Sequence, residues 1–242
     1  MLWGIDLGGT KIEGVVLKSS MDPTIIFRER VPTEAHKGYQ HILEQIKFLV
    51  DWMIRDTGSK PEKIGFGTPG TLDPKLGVIK NSNTAALNDQ PLERDLENIL
   101  NVGVVLANDA NCFVLAEARL GIVKQQFPQA HVIFGVIMGT GVGGGIVIDG
   151  KVINGLQGIT GEWGHNFLDE SGGPCYCGKA GCVEMVLSGP ALERYYSHYA
   201  GTEKRLKEIV LLAQNGGDVI AKDTLNRLAF YFGKALSVVI NI

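Results

Sequence analysis

The sequence predicts an α/β protein built as two lobes, residues 1–118 and 119–242. Three observations carry that prediction. Met1 to Asp6 reads as a buried strand, Leu7 to Lys11 as a turn around Gly8-Gly9-Thr10, and Ile12 to Leu17 as a second strand. The same order returns in the second half, where His131 to Met138 leads into Gly139-Thr-Gly-Val-Gly-Gly-Gly145 and then a strand over Ile146 to Asp149. After the first pair, Tyr39, Ile42, Leu43, Ile46, Val50, Met53 and Ile54 recur at helical spacing, as expected of a helix lying on a sheet.

The order of elements restricts what the glycines can do. In a dinucleotide-binding unit the glycine turn opens a helix whose N-terminus receives the pyrophosphate. Here both turns open a strand, so that reading fails twice. Two glycine turns, one per lobe, suit backbone amides offered to phosphate oxygens; the alternative is a pair of ordinary hairpin turns. Against that alternative, Thr10 and Thr140 each follow a glycine, and seven residues from Gly139 is more than a hairpin needs.

Between the lobes' two turns come a third strand over Ile25 to Val31, the helix within Lys37 to Thr57, and a strand from Lys63 to Phe66 that runs into the turn-rich Gly65-Phe-Gly-Thr-Pro-Gly70. Val102 to Ala107 is a strand that delivers Asn108-Asp109-Ala-Asn111 to a helix over Cys112 to Leu120. Polar residues at a strand's end sit where a ligand can reach them. Asp109 is a candidate general base, with a helix N-cap as the other reading. Asp149-Gly150 closes a hairpin. Beyond it, Ser188 to Tyr199, Thr202 to Gln214 and Asp218 to Ile242 read as helices, and the last ends on an apolar run as if the chain were cut short there.

Bulk composition excludes several function classes. The chain has 242 residues, 45% hydrophobic and 20% charged, with a net charge of −3. No basic footprint suits nucleic acid or a membrane surface, so the expected partner is a small molecule. The opening apolar run is short and broken by Asp6, unlike a secretory signal, which places the chain in a reducing cytoplasm. Clustered cysteines there point to metal rather than disulfides.

Those cysteines fall in one window. His165, Cys175, Cys177 and Cys182 offer one imidazole and three thiolates, a set that suits a closed tetrahedral structural Zn²⁺ site. Unmetallated cysteines packed as small hydrophobes are the alternative, and Cys112, in an apolar helical run, takes that reading. Glu162 and Glu184 flank the cluster, so the same staple could hold two carboxylates and an imidazole around one small polar ligand.

These motifs, in this order, resemble the ROK family of bacterial sugar kinases and repressors, within the actin-like ATPase (ribonuclease H-like) superfamily. Asp6-Leu-Gly-Gly-Thr-Lys11 resembles the first phosphate motif, Asn108 to Asn111 the catalytic motif, and Gly139 to Gly145 the second phosphate motif. Gly161-Glu-Trp-Gly-His165 and Cys175-x-Cys-Gly-x-x-Gly-Cys-x-Glu184 resemble the sugar and zinc signature, and Lys80-Asn-Ser-Asn-Thr84, Gly161-Glu-Trp-Gly-His-Asn166 and Pro174-Cys-Tyr-Cys-Gly-Lys179 are most similar to the manno(fructo)kinase branch. The resemblance implies two actin-like domains with a cleft between them, ATP, Mg²⁺ and structural Zn²⁺ as cofactors, and transfer of a γ-phosphoryl group to a hexose 6-hydroxyl. Fructose is the expected hexose, with mannose next; glucokinase, N-acetylglucosamine kinase and a non-catalytic sugar-binding regulator are the alternatives. Asp109 would be the base. Asn83, Asn108, Asp109, Glu162, His165 and Glu184 would hold sugar. Asp6, Gly8, Gly9, Thr10 and Lys11, with Gly139, Thr140, Gly141, Gly143 and Gly144, would face ATP and Mg²⁺. A homodimer is expected. The family's last strand, adenosine loop and closing helix, and the repressors' leading DNA-binding segment, have no counterpart in these residues.

Overall fold

The structure, a computed structural model, describes residues 1–241. By its contacts the chain divides into two units, Met1–Cys112 with Asn154–Ile159, and Phe113–Ile153 with Thr160–Ile242.

The first unit contains β1 (Leu2–Leu7), β2 (Lys11–Leu17), β3 (Ile25–Pro32), α1 (Tyr39–Thr57), β4 (Lys63–Thr68), β5 (Thr71–Leu72), β6 (Ile79–Lys80), α2 (Leu92–Leu100) and β7 (Gly103–Asn108). Its main sheet has the order β3-β2-β1-β4-β7, antiparallel across β1–β2–β3 and parallel across β1–β4–β7. Period-two alternation buries Trp3, Ile5 and Leu7 of β1 and Ile12 and Val16 of β2. They share a core with Ile42, Ile46, Leu49 and Met53 of α1. Closest approach is at Gly14, where an added Cβ would lie 2.7 Å from the Met53 sulfur. The helix stops at Gly58, whose φ of 65° is left-handed and whose amide caps Ile54.

The parallel part of this sheet positions chemistry. In the registers of β1, β4 and β7, Asp6 lies beside Gly67, and Thr68 beside Asn108. Asp6, Thr68 and Asn108 therefore share the carboxyl edge of three neighbouring strands, the edge where ligands bind in open α/β sheets.

Across the boundary, α3 (Asp109–Arg119) begins in the first unit and continues in the second. It starts three residues earlier than the sequence suggested, because the Asn108 Oδ1 accepts from the Ala110 and Asn111 amides at 3.0 and 3.3 Å and so caps the helix one residue ahead of Asp109. The second unit continues with α4 (Ile122–Gln126), β8 (Val132–Met138), β9 (Val142–Ile148), β10 (Lys151–Val152), α5 (Val183–Leu187), α6 (Gly189–Ala200), α7 (Leu206–Gln214) and α8 (Val219–Ile240). Its sheet is antiparallel in the order β10-β9-β8.

Two sequence expectations change here. Gly143, Gly144 and Gly145 belong to β9, paired with Ile137, Val136 and Gly135, so the second glycine turn is only Gly139-Thr140-Gly141. And α7 begins at Leu206 rather than Thr202, where Glu208 accepts from the Arg205 amide at 3.0 Å and Glu193 accepts from the Leu206 amide at 2.8 Å. The core of this unit joins Val142, Trp163, Leu168, Val183, Val186, Leu187 and Ala235, and a smaller cluster joins Tyr196, Ile209 and Ala221. Near the end of α8, Leu236 packs on the core while Val238 and Ile240 are exposed; Ile242 lies outside the described residues. Among the described residues no helix is long and apolar enough to cross a membrane.

Candidate functional site

In the first unit the site is a braced turn beside two carboxylates. The Gly8 amide donates to the Lys11 carbonyl at 2.9 Å, closing the turn on itself. Fully buried Thr33 holds it from below, its hydroxyl donating to the Gly8 carbonyl at 2.6 Å and its amide to the Thr10 carbonyl at 3.0 Å. Gly9 faces Thr84, whose hydroxyl oxygen would lie 3.1 Å from a Cβ at position 9. With the carbonyls bonded inward, the amides of Gly9 and Thr10 donate to no other described residue, the condition for anion binding by backbone. Lys11 is exposed. Thr33 belongs to no motif, and Thr84 closes the Lys80-Asn-Ser-Asn-Thr84 stretch, which gave it no role at this turn.

Asp6 and Asp109 converge on Gly67. A Cβ there would meet the Cys112 sulfur at 3.6 Å, an Asp6 carboxylate oxygen at 3.8 Å and the Asp109 Cα at 3.9 Å, so glycine leaves the room these groups occupy. Both carboxyls remain open to solvent yet are crowded by protein. Burial raises the Asp6 pKa, Glu13 adds to the rise, and Lys11 and Arg30 oppose it. Burial likewise raises that of Asp109, against the hydrogen bond from the Ala110 amide and with help from the Asp6 charge.

Cys112 departs from the expected interior packing. It is exposed at this carboxylate pair, and burial of its sulfur, followed by the charges of Asp109 and Asp6, pushes its pKa up to about 11, so it stays a thiol near neutrality. The two ends of the Asn108 amide are already used: Nδ2 donates to the Gly70 carbonyl at 3.0 Å and Oδ1 caps α3. Asn83 is exposed, between buried Ser82 and Thr84. Buried Asn111 has an Oδ1 without a hydrogen-bond partner among the described residues.

In the second unit the glycines serve a close approach of backbones. A Cβ on Gly161, at φ 95°, would stand 2.5 Å from the Gly144 carbonyl oxygen, and one on Gly164 would stand 1.9 Å from the Val142 carbonyl oxygen. Gly144 itself faces Trp163 and Phe134, each under 3.0 Å from a Cβ there. The Trp163 indole donates to the Gly143 carbonyl at 2.9 Å. The strand that carries the second turn thus docks flush against the short 3-10 turn Trp163–His165, which presents Glu162 and His165. Gly143 and Gly144, expected to face phosphate, are explained by this packing.

The turn at Gly139-Thr140-Gly141 is closed by the Gly139 amide on the Gly141 carbonyl and tied to α6 by the Gly189 amide on the Gly139 carbonyl, both at 2.9 Å. Glu184, assigned to sugar by the resemblance, has a protein partner here: one carboxylate oxygen accepts from the Val142 amide at 2.9 Å and would lie 2.6 Å from a Cβ on Gly141.

The donor atoms of His165, Cys175, Cys177 and Cys182 all lie within 4.8 Å of one another. Cys175 Sγ is 3.6 Å from His165 Nδ1, and Cys177 Sγ is 3.6 Å from Cys182 Sγ. Zinc–sulfur bonds of about 2.3 Å at tetrahedral angles require sulfurs about 3.8 Å apart, so the cluster has the size of a zinc site. Left-handed glycines at 178 and 181, with φ of 86° and 70°, turn the loop so that the three sulfurs meet.

Two strand–glycine turn–strand arrangements, with carboxylates at strand ends, define an actin-like ATPase fold. A family model described as the ROK family matches residues 2–242, and the chain belongs to that family. It is 35% identical over 237 residues to an N-acetyl-D-glucosamine kinase of Aliivibrio salmonicida, an alignment covering 94% of this chain and 76% of that one. Among solved structures it resembles a ROK hexokinase from Thermus thermophilus, 34% identical with a TM-score of 0.83, covering 99% of this chain and 77% of the other. It also resembles a ROK glucokinase from Streptomyces griseus in complex with glucose and AMPPNP, 29% identical with a TM-score of 0.81, covering 99% and 79%.

Proposed function

We propose that the chain is an ATP-dependent hexose kinase that transfers the γ-phosphoryl group to a sugar 6-hydroxyl. The observation that carries this reading is the convergence of Asp6 and Asp109 on Gly67, on the same sheet as a turn whose amides are kept for a ligand. A hydroxyl attacks phosphorus once a base takes its proton, and Asp109, open to solvent with a raised pKa, is a carboxylate suited to that transfer. The oxygen–phosphorus bond to ADP breaks as the new one forms, and the Gly9 and Thr10 amides, with those around Gly141, hold phosphate oxygens. Asp6 would orient Mg²⁺ or its waters; the ion supplies charge neutralisation on the phosphates.

Asn83, Asn108, Asp109, Glu162, His165 and Glu184 are the proposed sugar contacts. Asn108 has one Nδ2 hydrogen left to donate, its Oδ1 being filled by two amides, and Glu184 keeps carboxylate lone pairs beyond the one that the Val142 amide takes. Zn²⁺ on His165, Cys175, Cys177 and Cys182 is the proposed structural metal, supported by the size of the cluster. Relatives named for N-acetylglucosamine and glucose give no support to the fructose preference drawn from motif resemblance. A coupled assay of ATP consumption over fructose, mannose, glucose and N-acetylglucosamine decides the hexose. The expected homodimer is checked by light scattering.

The test of the chemistry is Asp109→Asn, which keeps size and removes the proton acceptor. The expected result is a fall in kcat of about 10²-fold or more, with sugar binding retained. Near-native turnover would refute the role.

A further inference from the structure

Tyr176 lies between two of the metal-cluster cysteines in sequence. The phenol oxygen is 3.1 Å from His165 Nε2, the nitrogen opposite the one that faces Cys175. The two rings meet edge to face at 5.2 Å between centroids. His165, one of the side chains proposed to hold sugar in this unit, therefore already has a hydroxyl on the ring nitrogen it would offer to substrate. A neutral hydroxyl that both donates and accepts is what a sugar would bring to the same place.

We propose that Tyr176 determines specificity at this subsite, its hydroxyl holding the place of a sugar hydroxyl on His165 until substrate displaces it. The proposal rests on the hexose kinase reading and adds to it a role for a residue that had none. The ring is 64% exposed, so it is anchored mainly by its tip and can swing outward without opening the core. After displacement it stands at the mouth of the subsite. A sugar hydroxyl replaces the phenol one for one, whereas an acetamido group must also find the volume that the ring occupies. The chain should accordingly prefer plain hexoses to 2-acetamido hexoses.

The experiment compares native chain, Tyr176→Phe, Tyr176→Ala and Tyr176→Trp with glucose and N-acetylglucosamine, recording kcat and KM for each sugar and for ATP. Tyr176→Ala is expected to raise kcat/KM for N-acetylglucosamine relative to glucose by about tenfold or more, the scale on which a pocket rejects added bulk. Tyr176→Phe keeps the ring and should keep the ratio while lowering KM for glucose, because the competing hydroxyl is gone. Tyr176→Trp should move the ratio the other way. Zinc content and KM for ATP should not change. An unchanged sugar ratio in both Tyr176→Ala and Tyr176→Trp, with hexose turnover intact, would overturn the proposal and leave the kinase reading standing. Equal losses for both sugars accompanied by loss of zinc would show that the ring only braces the loop. No phosphorylation of any hexose by the native chain would overturn the kinase reading and this proposal together.

Discussion

Asp109 shows how one residue's surroundings fix both its chemistry and its cost. Its proton is held more tightly in the fold than in the unfolded chain, chiefly by burial. In the proposed role of base it works ionised, so kcat/KM should fall as pH drops through a value above the ordinary 3.8. Asp6→Asn removes one of the causes of that rise, and the acid limb of the profile should move to lower pH even though the rate also falls. The sign for stability is the reverse of a salt-bridged carboxylate. Ionised Asp109 opposes folding above its folded pKa, and the opposition is relieved as pH falls through that value. Asp109→Asn should therefore melt at a higher temperature than the native chain at pH 7, with the gain gone below about pH 4, near the unfolded carboxylate's pKa. Scanning calorimetry across that range is the check. The sequence placed Asp109 at the end of a strand; it could not reveal that Asn108 and Asp109 would share the Ala110 amide, at 3.0 and 2.7 Å, with the Asn111 amide left to Asn108. Cys112 was misjudged because an apolar run in a line of letters does not show which side of the helix faces the carboxylates.

At the level of elements, two glycines that looked like ligand contacts, Gly143 and Gly144, pack against Trp163, and Gly161 and Gly164 beside them are contacts between backbones. The motif from Gly161 to His165 lies on β9 so closely that neither Gly161 nor Gly164 has space for a methyl group. Gly164→Ala, with a Cβ 1.9 Å from the Val142 carbonyl oxygen, must push the 3-10 turn off the strand. The expected cost is about 1–3 kcal/mol, the range for forced overpacking, with a parallel drop in zinc content because His165 rides on that turn. A denaturant midpoint and a metal assay on the same preparation test both parts. Strand pairing, α1 and the hairpin at Asp149-Gly150 were legible because period and turn chemistry are local. The extent of the second glycine turn was not, since a glycine that admits a phosphate and one that admits a tryptophan are written identically.

Across the whole molecule, each unit carries its own core, and only one of them borders the cysteine cluster. The first core gathers α1, α2 and the five-stranded sheet; the second gathers Trp163, Leu168 and α5 beside Cys182. Metal analysis should return about one zinc per chain, as one closed four-ligand site requires, and Cys177→Ser should lower both that figure and the melting temperature. Chelation should speed amide hydrogen exchange through residues 161–187 and leave Ile42 to Met53 in α1 protected. Equal acceleration in both stretches would show that the metal supports the chain globally. The cysteine cluster was legible because spacing is a property of the letters themselves, and the fold brings those four side chains together. The return of Asn154–Ile159 to the first unit is a long-range contact, and nothing in those six residues announces it.

His165 has one nitrogen for the cysteines and the other for Tyr176. A neutral imidazole carries a single ring proton, and a cation on Nδ1 leaves that proton on Nε2. The metal loop thereby sets the tautomer of a ring that faces away from it. Loaded, the ring offers an N–H and seeks an oxygen lone pair; emptied, it can exchange tautomers and present a lone pair instead. Metal occupancy would then be written as hydrogen-bond polarity at Nε2, and nitrogen NMR of the imidazole, with and without chelator, would read it directly.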